Sequence, residues 1–201
     1  MALKNTTISY GSIAKFLHWF IALLFIAAYC SVYYRHWFTE EKKPANMTAL
    51  QLHLSIGISI AAFVLLRVVW RLSNPVPAEP AGTPLEHFAA KTGHLLLYFF
   101  MITMPITGYI GTGLATEFFY MLDIPKFENT AMFQWMVVDT FGMTFKAFEN
   151  PVDFFHKDIG GVILVWLLIA VHICAAFFHH FYKKDEVLIR MLPKYFVKGK
   201  I

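Results

Sequence analysis

His156-Lys-Asp-Ile-Gly-Gly-Val-Ile-Leu-Val-Trp-Leu-Leu-Ile-Ala-Val-His172-Ile-Cys-Ala-Ala-Phe-Phe-His179-His180 carries four histidines in a stretch otherwise greasy enough for a bilayer. Residues 159–182 contain no Asp, Glu, Lys or Arg. About 20 apolar residues at 1.5 Å rise cross a hydrocarbon core of roughly 30 Å, so the stretch reads as a membrane helix. Three more uncharged runs, 16–34, 44–66 and 92–116, are long enough to do the same. The composition agrees, with 58% hydrophobic and 15% charged residues, where soluble domains have about 25% charged. The fold expected is all-α, a four-helix transmembrane bundle. Its helices are placed at about 12–36, 49–72, 87–113 and 155–182, with an outer loop at 114–154 and one domain over 1–201.

Charge gives the orientation. With the N-terminus inside, eleven Lys and Arg fall on the inner side, Lys194, Lys198 and Lys200 among them, against six outside. By the positive-inside rule both termini are cytoplasmic. The pI of about 9.0 then reflects topology and contact with inner-leaflet lipids, and gives no reason to expect nucleic acid. The first run ends in Tyr-Tyr-Arg-His-Trp-Phe, with no small-residue cleavage site, and is expected to stay attached.

The proline-rich 73–84 stretch breaks the chain between the second and third helices. Residues 129–150 are too short in their apolar part to span. They read as an amphipathic segment on the outer surface, or as a docking face for a partner.

The histidines fall into two layers. Toward the inner face lie His18, His94, His172, His179 and His180, with His87 at the start of the third helix; toward the outer face lie His36, His53 and His156. A single interfacial histidine such as His36 or His87 is ordinarily satisfied by headgroups or water. Several helices offering histidines at matching depths fit transaxial ligation of a planar metal macrocycle, with one neutral imidazole on each side of the iron. Zinc would take imidazoles too, but the Cys or carboxylate companions of its usual motifs are missing. Cys30 and Cys174 lie near opposite faces, and no Cys-x-x-Cys-His exists, so any haem is noncovalent.

The segments Phe-Leu-His18-Trp, Leu-His53-Leu-Ser-Ile-Gly-Ile-Ser-Ile, Leu-Leu-Arg67-Val-Val-Trp-Arg71, Gly93-His94-Leu-Leu-Leu-Tyr, Met-Pro105-Ile-Thr-Gly108, Val-His172 and Phe-Phe-His179-His180-Phe-Tyr-Lys-Lys-Asp occur in this order. Together the chain resembles the bacterial cytochrome b561 family of di-haem membrane proteins, which includes a superoxide oxidase. The resemblance implies two haem b groups, an inner one held by His18 and His172 and an outer one held by His53 and His156. The family's two helix-four ligands usually lie 14 residues apart, whereas His156 and His172 are 16 apart and would point about 160° from each other on a regular helix. A bulge at Gly160-Gly161 could restore the facing, His156 could sit in a non-helical lead-in, or His36, which shares a face with His18, could take its place. His179 lies seven residues from His172 on one face and by charge boundaries alone matches His18 better in depth, unless Lys15 lies within the helix and snorkels to the interface. His94 and His179 are candidates for an inner quinone site, and Arg67 and Arg71 for contacts to haem propionates or a quinone headgroup. Gly57, four residues after His53, could admit a porphyrin edge.

Bis-histidine iron has no open position and passes single electrons. Ligand layers 16 residues apart stand roughly 24 Å apart by helical rise. The resemblance implies a cytochrome of the bacterial inner membrane exchanging electrons between the periplasmic side and the quinone pool. One version oxidises superoxide and reduces ubiquinone; another takes electrons from a periplasmic redox protein. Lys42, Lys43, Lys126 and Lys146 could draw in an anion, although the outer side is acidic overall. The alternatives are a cytochrome b anchor and conduit subunit of a larger dehydrogenase or hydrogenase-like complex, and a histidine-lined metal transporter.

Overall fold

The computed structural model describes residues 2–193; Lys194, Lys198 and Lys200, counted above on the inner side, lie outside the described residues. Four helices among the described residues are long and apolar enough to cross a membrane: α1 (Ser12–Phe38), α2 (Pro44–Leu72), α3 (Pro84–Ile110) and a last one, α5 (Phe145–Lys183). A short α4 (Ala131–Phe133) continues as a π-helical turn, Gln134–Asp139, and α6 (Val187–Met191) follows the last long helix.

Helices α2 and α3 start where the chain offers a start signal. Pro44 opens α2 and Pro84 opens α3, where a missing N–H costs nothing. Thr83 and Glu86 complete a reciprocal capping box at the α3 N-terminus. Between Leu72 and Pro84 the proline-rich stretch makes the expected non-helical connection.

The last helix departs most from expectation, beginning at Phe145 instead of near 155. Thr144 caps it by accepting from the Ala147 N–H, and Lys146–Glu149 and Lys157–Asp153 ion pairs let its first turns stand in water. The segment expected to lie along the surface is accordingly divided, its first half in α4 and its second half in α5. Before it, β1 (Thr116–Phe118) and β2 (Leu122–Ile124) form an antiparallel hairpin with Thr116 opposite Ile124. Its turn residues Phe119 and Tyr120 have φ of 47° and 60°. Ser55, fully buried on α2, holds the hairpin by accepting from the Phe119 N–H at 2.9 Å.

Packing follows the apolar faces. Ile21 and Ala28 of α1 bury against Ile56, Ile60 and Val64 of α2, and Phe100 and Met104 of α3 bury against Val165 of α5. Phe127, Phe133 and Val137 form a separate small core outside the spans. Leu23, Leu65, Leu95 and Val162 are exposed along the helices, as lipid-facing residues are.

At the end of the bundle that holds the N-terminus, the N-terminal segment ties the connections together. Asn5 donates to the Pro75 carbonyl, Lys15 to Leu192 and Trp19 Nε1 to Met191.

Candidate functional site

The outer layer is built from α2, α5 and the helices that flank them. His53 on α2 and His156 on α5 face each other with ring centroids 6.3 Å apart and planes at 76°. His53 Nδ1 lies 3.1 Å from the Ala28 carbonyl oxygen. A carbonyl only accepts, so Nδ1 carries the proton and Nε2 keeps its lone pair. On the other side Thr107 Oγ1 donates to the Thr103 and Met104 carbonyls and stands 3.2 Å from His156 Nδ1. With its own proton spent, that hydroxyl accepts from Nδ1–H and again frees Nε2. Both rings thus have the tautomer that a metal-binding imidazole requires.

Helix α5 reaches this geometry through a local change of winding. Phe155–Leu164 is π-helical, and the chain returns to α-helix at Val165. A π-helix takes about 4.4 residues per turn, against 3.6, so the 16-residue separation of His156 and His172 comes back to nearly one face instead of opposing ones. Glycines make the room. A Cβ on Gly108 would lie 2.9 Å from His156 Cε1, and one on Gly160 would lie 2.5 Å from Met104 Sδ.

The inner layer gathers three histidines. His172 stands 6.1 Å from His18 and 6.0 Å from His94, centroid to centroid. His18 is half-buried, while His94 is exposed at the edge of the layer. Arg67 and Arg71 lie over the Tyr98 ring at 5.8 and 5.6 Å. With Trp70 and Ala14 they line a small cavity of about 30 Å³, into whose walls the Trp70 indole N–H is buried without a protein partner.

The other named residues lie elsewhere. His36 is exposed on the last turn of α1. His179 pairs through Nδ1 with Asp185, and His87 with Glu79. Thr107 was missed by sequence reasoning, although it stands beside Gly108 in the Met-Pro-Ile-Thr-Gly motif.

These pairs fit a bis-imidazole macrocycle. Two metal–nitrogen bonds of about 2.0 Å and about 1.1 Å from each nitrogen to its ring centre separate the centroids by roughly 6.2 Å. The observed 6.1 and 6.3 Å are compatible with that spacing, and so is the 6.0 Å between His172 and His94. A Cβ added at Gly57 or Gly93, beside the outer and inner layers respectively, would meet nothing within 4 Å, so space is open at both. Among the described residues, no three His, Cys, Asp or Glu side chains cluster around a point as a directly bound metal ion would need.

Residues 9–194 match the family profile described as prokaryotic cytochrome b561. The chain belongs to that family. It is 29% identical to "Cytochrome b561 homolog 2" of Escherichia coli K12, over 96% of each chain. To "Probable superoxide oxidase CybB" of Yersinia pestis it is 26% identical, over 89% of this chain and 92% of that one. "Cytochrome b561 homolog 1" of Escherichia coli K12 is 29% identical over 89% and 94%. With its four candidate spans, this member of the cytochrome b561 family is a multi-pass protein of the bacterial inner membrane. The family's cofactor is b-type haem and its business is electron transfer.

Proposed function

We propose that the whole chain is one di-haem domain, a four-helix bundle with both termini cytoplasmic, that carries electrons between the periplasmic side and the quinone pool. His53 and His156 hold the outer haem; His18 and His172 hold the inner one. The observation that carries this reading is the pair of facing imidazole couples, 6.3 and 6.1 Å apart, one at each histidine layer. Haem, when bound, would supply a one-electron carrier at each pair.

Of the two neighbours of His172, His18 is the ligand because it is the half-buried one. The exposed His94 is left free to meet a ubiquinone headgroup, with Arg67 and Arg71 placed to neutralise propionates or hold a quinone carbonyl. His179 serves the same inner side through its pair with Asp185. The concrete reaction is oxidation of two superoxide ions to dioxygen outside, with two electrons and two inner-side protons converting ubiquinone to ubiquinol. The relative named as a superoxide oxidase supports this version.

The test uses purified protein in sealed vesicles containing ubiquinone, with superoxide generated outside. Quinol formation abolished by His53→Ala and by His18→Ala is the expected result. Haem reduction by superoxide without any quinol would overturn the quinone link. A stable stoichiometric complex with a periplasmic dehydrogenase, and no reaction with superoxide, would establish the conduit reading instead.

A further inference from the structure

The π-helical turns of α5 are an uncommon way to wind a chain, and such turns persist where surrounding contacts hold them. One contact reaches their backbone from another helix. Tyr29 of α1 donates its hydroxyl to the Gly161 carbonyl at 2.7 Å. Gly161 stands one π turn after His156, and the His156 carbonyl oxygen is only 2.8 Å from where a Cβ on Gly161 would lie. A bond to Gly161 therefore acts on the turn that carries His156.

The tyrosine is itself fixed. Its ring lies 4.7 Å from that of Trp166 and 6.0 Å from that of Tyr33, and Trp166 Nε1 donates to the Tyr33 hydroxyl at 2.9 Å. Next to it in sequence, the Ala28 carbonyl accepts from His53 Nδ1. Two consecutive residues of α1 thus act on both members of the outer pair, Ala28 on the ring of His53 and Tyr29 on the backbone turn of His156.

We propose that Tyr29 is a positioning residue that holds the π-helical register of α5 and so aims His156 at His53. The role is specific to a chain whose two α5 layer histidines, His156 and His172, are 16 residues apart, since a regular α-helix cannot face both inward at that spacing. It rests on the reading of His53 and His156 as the outer haem ligands.

Tyr29→Phe keeps the ring and its stacking and removes only the hydroxyl. In the purified protein the outer haem is identified as the low-spin electron paramagnetic resonance signal that His53→Ala removes. Tyr29→Phe is expected to shift or split that signal and to lower outer-haem content at least two-fold. The inner signal and the helical circular dichroism should stay as they are. Tyr33→Phe, which strips a hydroxyl from the same stack but not from the π turns, leaves both signals in place. Tyr29→Gln, which restores a donor, moves the outer signal back toward native. An outer signal in Tyr29→Phe identical to native overturns the proposal, and so does an equal change in both haems. If His53→Ala removes no haem, the reading of the outer pair has failed and the positioning role falls with it. If His53→Ala removes one haem while Tyr29→Phe changes nothing, the positioning role alone has failed.

Discussion

His53 and His156 are each held by one ring nitrogen so that the other is free, and the residues that do the holding are an ordinary helix carbonyl and a threonine. Thr107→Val removes the hydroxyl that stands 3.2 Å from His156 Nδ1, and loss of such a bond behind a metal-binding histidine typically costs 10- to 100-fold in metal affinity. The outer haem should therefore be lost selectively on dilution or on mild competition by apomyoglobin, read as a fall toward one haem per chain. Gly108→Ala acts more directly, because its methyl would sit 2.9 Å from His156 Cε1, and half or more of the outer haem should be missing in protein as purified. His94→Ala has the opposite signature: both haems remain and quinol formation slows. The histidines were legible in the sequence because a bilayer makes each one conspicuous. Thr107 and Tyr29 were not, since a threonine or tyrosine in an apolar run has many ordinary uses and only its hydrogen-bond partner shows which applies.

At the scale of elements, the four spans could be read from charge-free length and the break between α2 and α3 from its prolines, but the two helices begin at Pro44 and Pro84, ahead of the expected 49 and 87, and α3 ends before Gly111. The winding of α5 could be read only as a conflict, a spacing of 16 that no regular helix reconciles with two inward ligands. Its π-helical turns over Phe155–Leu164 answer that conflict, with Gly160 accepting close contact from Met104. The aqueous start of α5 was hidden because Lys146, Glu149, Asp153 and Lys157 interrupt the hydrophobic pattern without interrupting the helix. At the other end the chain turns at Lys184, with φ of 56°, and Asp185 closes the turn onto His179 and the Val187 N–H. Partial burial by itself would raise the Asp185 pKa; the hydrogen bonds from His179 and the Val187 N–H outweigh it and lower the pKa. A lowered folded-state pKa means that the contact stabilises the turn at neutral pH and fades as pH falls through that value. Hydrogen exchange over 184–193 should rise on acidification below the ordinary aspartate range, and Asp185→Asn should show the faster exchange already at neutral pH. The effect is a local one, below about 1 kcal/mol, because the pair is near the surface.

Across the whole molecule, the two histidine couples lie at different depths of one helix, α5, which supplies a member to each. A π segment rises less per residue than an α-helix, so the couples stand closer than the roughly 24 Å that α-helical rise gives for 16 residues. That arrangement makes α5 the spine of a path from the outer hairpin side to the inner cavity of Arg67, Trp70 and Arg71. On the proposed reading, with both termini cytoplasmic, the excess of basic residues assigned to the inner side orients that path. The most direct test is the dithionite-reduced minus oxidised visible spectrum, with haem and protein quantified, for the native chain and for single His→Ala variants. Two b-type haems per native chain are predicted, with one lost in each of His18→Ala, His53→Ala, His156→Ala and His172→Ala, and none lost in His36→Ala or His94→Ala. Two haems retained in His156→Ala, or one lost in His36→Ala, would contradict the account.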